Sequence, residues 1–243
     1  MAKEKPIAPA AKREKAPAER SNAADIEAFL SDAKAMAAAA SGEAGRLIFA
    51  LDATMSRQPT WDRACALQGE MFAEAARIGG LSVQLVYYRG LGECRASRWV
   101  ADARALGDLM TRIDCRGGHT QIRKVLAHAR KEAKKNKPRA LVFVGDAMEE
   151  NADDLAEQAG ELGLLGVPVF VFEEGHDPVA EPVFREIARL SGGAWCRFDS
   201  GSAEELRALL KAVAAYAAGG RQALADHSKA HGGKARLLLQ QMR

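Results

Sequence analysis

The stretch Arg46 to Ser56, Arg-Leu-Ile-Phe-Ala-Leu-Asp-Ala-Thr-Met-Ser, constrains the fold more than any other part of the 243-residue chain. Leu47 to Leu51 is an apolar run without alternation, as expected of a strand covered on both faces in a parallel sheet. The run ends in Asp52, Thr54 and Ser56, three oxygen-bearing side chains at alternate positions. One carboxylate and two hydroxyls are hard donors, suited to Mg²⁺ or Mn²⁺ rather than zinc. Pro59-Thr60-Trp61-Asp62 then starts a helix, so the triplet falls in a strand-to-helix loop, where open α/β sheets place their ligands. Asp, Thr and Ser are also ordinary loop and cap residues, so the triplet alone does not define a site.

Downstream, strands and helices alternate. Ala64, Leu67, Met71, Ala75 and Ile78 share a helix face, and Ser82–Tyr88 reads as a second strand. Glu93–Val100 has the polar character of an edge strand. Leu106, Leu109, Met110 and Ile113 mark a helix, and Asp114 to Thr120 breaks it. Ile122, Val125, Leu126 and Ala129 restart the helical spacing and lead to the strand Leu141–Val144, which ends in Gly145-Asp146. A helix through Leu155, Ala159 and Leu162, a strand at Val167–Phe172, a helix around Phe184 and Ile187, a strand near Ala194–Phe198 and a helix at Ala203–Ala217 complete the series. This order predicts an α/β domain, a doubly wound and mostly parallel sheet with helices on both faces. Residues 1–21, rich in Ala, Lys, Glu and Pro, read as a disordered basic tail, and residues 22–43 as an amphipathic helix with Ile26, Phe29, Leu30 and Ala33 on one face. Residues 219–243 read as a basic C-terminal tail, with Leu237–Leu239 too short for a helix of its own.

Charge narrows the function. Residues 1–22 carry +3 and residues 219–243 carry +4, which leaves the body between them at −4. A mildly acidic domain between basic ends is a poor candidate for specific nucleic-acid binding. Cys65, Cys94, Cys115 and Cys196 have neither zinc nor redox spacing, and the N-terminus has no apolar core of a secretory signal. The longest apolar stretch, Leu162–Phe172, is broken by Gly163, Gly166 and Pro168 and is too short to span a bilayer. These features predict a cytoplasmic protein.

Asp52-Ala53-Thr54-Met55-Ser56 resembles the Asp-x-Ser-x-Ser signature of von Willebrand factor A domains of the bacterial cytoplasmic type, with Thr54 in place of the first Ser. In that family the loop holds a divalent cation at the metal-ion-dependent adhesion site. The resemblance implies a domain over residues 44–218 with strand order 3-2-1-4-5-6, strand three antiparallel at one edge. It also implies two further ligands, a Thr from the loop before the fourth strand and an Asp from that strand's end, here Thr120 and Asp146. His119 precedes Thr120 where the family often has Gly, and Gly145 precedes Asp146 where the family has its Gly afterwards; neither change removes an oxygen donor.

The implied function is a protein–protein interaction module, not an enzyme, in which a partner's Asp or Glu completes the coordination of Mg²⁺ or Mn²⁺. Relatives of this type serve ATPase-linked, chaperone-like or metal-insertion complexes, and no residue here selects among them. Two alternatives are a metal-free scaffold of the same fold and a phosphohydrolase of the haloacid dehalogenase type. The second needs an acid two residues after Asp52, where Thr54 stands. No glycine-rich nucleotide loop follows the first strand. His119 reads as a structural hydrogen-bonder, His128 as a helix-flank residue, and Trp61 and Trp195 as packing residues. Residues 123–139 carry +7 and lead into the fourth strand from its far end, whereas Asp146, Glu149, Glu150, Asp153 and Asp154 follow at its top, so the domain should be electrostatically polarised.

Overall fold

The computed structural model describes residues 44–199 and 202–242, so the helix expected at 22–43 and the tail at 1–21 lie outside the described residues. Six strands form one sheet: β1 (Gly45–Asp52), β2 (Leu81–Arg89), β3 (Glu93–Val100), β4 (Ala140–Gly145), β5 (Val169–Glu174) and β6 (Ala194–Phe198). Their order is β3-β2-β1-β4-β5-β6, parallel throughout except for β3, which pairs antiparallel with β2. This is the predicted doubly wound architecture and strand order.

The unalternating run of β1 has its physical reason in the two layers that cover it. Leu47, Phe49 and Leu51 enter one apolar cluster with α1 (Gln58–Ala76), α2 (Ala103–Met110) and α6 (Ala203–His231). Ile48 and Ala50 enter the other, with α3 (Ile122–Lys135), α4 (Ala152–Leu164) and α5 (Ala180–Ser191). All five side chains are essentially inaccessible, so every residue of the run is apolar whichever face it points to. Among the described residues β3 pairs on one side only and is largely exposed, and its polar sequence answers to that.

The expectation of a basic tail at 219–243 is corrected by the structure. Gly219-Gly220 does not end the fold but bends it: Gly220 has φ 71°, a left-handed conformation that costs glycine little, and helix α6 resumes beyond the kink to His231. α7 (Gly233–Gln241) follows, and Leu224, Ala235, Leu238 and Met242 join the cluster under β1. The Gln241 side chain accepts from the Trp195 N–H at 2.9 Å and donates to the Trp195 carbonyl at 2.8 Å. It therefore occupies the outward-facing backbone groups of Trp195 on the outer edge of β6, which obstructs pairing with another chain there. Deleting residues from Arg221 onward should lower stability by about 5 kcal/mol, the order expected from re-exposing two leucines and a methionine plus a strand edge. Urea unfolding of the shortened protein checks this; an unchanged midpoint would show that the two helices are appendages.

Candidate metal centre

β1 and β4 are hydrogen-bonded neighbours with Leu51 opposite Val144, so Asp52 and Asp146 leave adjacent strand ends, offset by one residue. The next strand on the other side of β1 is β2, reached by a connection on the opposite face, and a crevice opens where the two connections diverge. Asp52 is 3% exposed. Its Oδ1 accepts the Thr54 N–H at 2.7 Å, which turns the chain so that Thr54 Oγ1 comes within 3.3 Å of Ser56 Oγ. Those three predicted donors are thus grouped by local geometry alone.

Thr120 arrives from a more distant part of the chain. Its loop is tied across the end of β1 by the Arg116 N–H to the Ala53 carbonyl, 2.9 Å, and to the β2–β3 turn by the His119 N–H to the Gly90 carbonyl, 3.2 Å. A Cβ on Gly118 would stand 2.1 Å from the Gly90 carbonyl oxygen, so this approach needs a glycine. Thr120 itself is 8% exposed. Its Oγ1 accepts the Glu149 N–H at 3.0 Å, and its own N–H donates to Glu149 Oε2 at 3.1 Å. The Thr120 loop is thereby fastened to the loop that carries Asp146.

Glu149 and Glu150, part of the acidic cluster at the top of β4, are engaged in hydrogen bonds. Glu149 is also bonded to His119 Nδ1 at 2.9 Å, and these contacts hold its carboxyl below the usual range, the Thr120 N–H contributing most. Glu150 accepts the N–H groups of Ile122 and Arg123 at the start of α3. That helix has no side-chain cap and no acid in its first turn, where Arg123 and Lys124 oppose its dipole, so it takes its cap from a neighbouring loop. Asp153 and Asp154 cap nothing themselves; their N–H groups are held by Asn151.

Sequence reasoning missed three side chains here. Tyr88, on β2, is fully buried beside Asp52, and burial first, then the neighbouring Asp52 carboxylate, push its phenol well above the usual range. Arg57, 3% exposed, lies 3.4 Å from Asp146 Oδ2 and also pairs with Glu174, at the end of β5. Glu174 is buried too, takes the Thr60 hydroxyl, and has Arg63 at 3.8 Å. The one available signal was position: Arg57 directly follows the Asp-x-Thr-x-Ser run.

Electrostatically, Asp52 is short of positive charge. Burial pushes its carboxyl up from 3.8 to about 6, and the neighbouring Asp146 adds to the rise, while the Thr54 N–H and Arg57 only partly offset it. The donor set fits a hard divalent cation: two carboxylates and three hydroxyls, no sulfur or imidazole, around a buried anion that nearby groups do not neutralise. Among the described residues a second group, Glu173, His176 and Glu181, brings ligand atoms within 4.8 Å of one another. Arg197 already pairs with both His176 and Glu181, Arg185 with Glu181, and Trp195 Nε1 with Glu173 at 2.9 Å, so arginines supply the positive charge there.

The arrangement has the von Willebrand A fold, a fold class that the solved structures similar to it share. They include the VWA domain of SpRpn10, 10% identical, covering 68% of this chain and 95% of that one with a TM-score of 0.53. Also similar is an aerotolerance-related membrane protein from Bacteroides fragilis, 16% identical over 67% of this chain and 94% of that one, TM-score 0.53. Proximal thread matrix protein 1 from the mussel byssus, solved with a zinc-occupied MIDAS motif, is 12% identical over 70% of this chain and 46% of that one, TM-score 0.56. No family model and no curated protein matches the sequence.

Proposed function

We propose that this chain is a divalent-cation-dependent protein interaction domain. Asp52, Thr54, Ser56, Thr120 and Asp146 would hold Mg²⁺ or Mn²⁺, and an Asp or Glu of a partner protein would complete the site. The observation that carries this reading is the buried, under-neutralised Asp52 carboxylate beside Asp146 at adjacent strand ends. A bound cation supplies the missing charge and a point of attachment for a carboxylate. The mussel protein's zinc-occupied MIDAS motif, on the same fold, supports it by analogy. Thr54 two residues after Asp52 leaves a phosphohydrolase without its general acid, so binding is favoured over catalysis.

One observation favours the metal-free scaffold as a second reading: Arg57 already places a fixed cation against Asp146. Titration separates the two. With Mg²⁺ or Mn²⁺ at 100 times its dissociation constant, the folded state should gain about 2.7 kcal/mol, seen as a rise in Tm that chelator reverses. Asp52→Ala should show no such rise; equal shifts in variant and wild type would place the cation elsewhere.

The cytoplasmic setting belongs to the same proposal. Its four cysteines are free, and burial pushes Cys65, Cys94 and Cys115 up to about 11, which leaves them unreactive thiols. Among the described residues no helix is long and apolar enough to cross a membrane. An ATPase-linked or chaperone-like complex is the kind of assembly in which the module would serve.

A further inference from the structure

At the other end of α3 from the candidate metal centre, a cavity of about 370 Å³ opens between α3 and α4, lined by Arg130, Lys131, Lys134, Glu161, Leu164 and Leu165. Its apolar part is Leu164 and Leu165, at the end of α4. Leu164, at 91%, is the most exposed large apolar side chain among the described residues, and Leu165 beside it is 42% exposed. One exposed leucine needs no explanation; two adjoining ones in a concave site are a different matter. Arg130 crosses the cavity to pair with Glu161 and so stiffens one wall. Lys131 and Lys134 make no ion pair or hydrogen bond among the described residues, and their aliphatic stems extend the apolar lining while their ammonium groups stand at the rim.

We propose that this groove binds an acidic amphipathic peptide segment of another protein, with one or two apolar side chains against Leu164 and Leu165 and carboxylates against Lys131 and Lys134. Charge complementarity selects the occupant. The charged lining nets +2, Lys131 and Lys134 are unpaired among the described residues, and the surrounding stretch, residues 123–139, carries +7, which attracts acids and repels basic segments. The leucines and Glu161 argue against a nucleic-acid backbone, which gains nothing from the former and is repelled by the latter. Arg130 to Lys134 lie beyond the middle of α3, so the groove is roughly 12–18 Å along the helix from its start at the Thr120 loop and uses none of the candidate metal ligands.

The test is fluorescence anisotropy in EDTA with a labelled twelve-residue synthetic peptide carrying Leu and Phe on one helical face and Glu on the other. Its Glu→Gln counterpart, a single-stranded RNA oligonucleotide and phosphatidylserine vesicles serve as comparison probes. Saturable binding of the acidic peptide is expected. Leu164→Ser with Leu165→Ser should weaken it about tenfold or more, the scale of losing one or two apolar contacts. Lys131→Glu with Lys134→Glu should weaken it at least as much, and the Gln peptide should bind poorly. All four side chains are surface residues, and unchanged unfolding midpoints will show that the variants are folded. Absence of binding, binding indifferent to the leucines, or tighter binding of RNA or vesicles would overturn the proposal. So would self-association of the protein that the leucine changes abolish. Because EDTA is present throughout, either result leaves the metal proposal to be judged on its own titration.

Discussion

Asparagine in place of Asp52 should make the metal-free protein more stable at neutral pH while removing its response to Mg²⁺. The carboxyl is buried and raised from 3.8 to about 6, chiefly by desolvation. Between those two values the folded state holds the proton more tightly than the unfolded chain does. The stability that this group contributes is therefore fully present below about pH 4 and is lost as pH rises through 6, a loss of about 3 kcal/mol for a shift of this size. Asparagine keeps an acceptor for the Thr54 N–H and carries no charge to desolvate. In EDTA at pH 7.5 the variant should gain about 2 kcal/mol over wild type, and the gap should close near pH 4. Comparing the two proteins by urea unfolding across that range cancels the titrating groups that do not interact with Asp52. A variant no more stable than wild type at neutral pH would mean that the Asp52 charge is already compensated, and the case for a cation would go with it.

Arg57→Gln should be the most destabilising single change at the site, at about 3–5 kcal/mol, the usual effect of stripping one partner from a buried ion pair. Its guanidinium is almost inaccessible and serves both Glu174 and Asp146. Without it the buried Glu174 keeps the Thr60 hydroxyl and the longer 3.8 Å contact to Arg63. The Arg57→Gln, Glu174→Gln double variant removes both charges and should recover most of the loss, so the two effects should be strongly non-additive. It should also bind Mn²⁺ more tightly than wild type, because Asp146 is released from its fixed counter-ion. A double variant as unstable as the single one would assign Arg57 a packing role.

Much of the fold is legible because a parallel sheet writes itself into sequence. The middles of β1, β4 and β5 are covered on both faces and are apolar, and β3 is polar because among the described residues much of it stays exposed. Asp52, Thr54 and Ser56 stand out because their geometry is local. What could not be read depends on contacts between remote segments. Arg57 and Glu174 lie 117 positions apart, and nothing near either one signals the other. Glu149 and Glu150 look like free surface acids until the start of α3 is seen to lack a cap of its own. The C-terminal helices were hidden for another reason. Leu224, Ala235 and Leu238 are sparse among alanines and charges, and the glycine pairs at 219–220 and 232–233 look the same in sequence whether they end a chain or fold it back.

The clasp between the 145–150 loop and the start of α3 makes that helix a lever. Glu149 grips Thr120, and Glu150 grips the first two amides of α3, so the loop that follows Asp146 and the helix are joined by hydrogen bonds at one end. An α-helix of 14 residues is stiff along its axis. A small displacement of the loop when Asp146 changes its partner must therefore either break those bonds or carry the whole helix with it. If the helix moves, its second half shifts against α4, where Arg130 is braced on Glu161. Mechanical continuity of this kind links the top of the sheet to its base through one rod, without any rearrangement of the core.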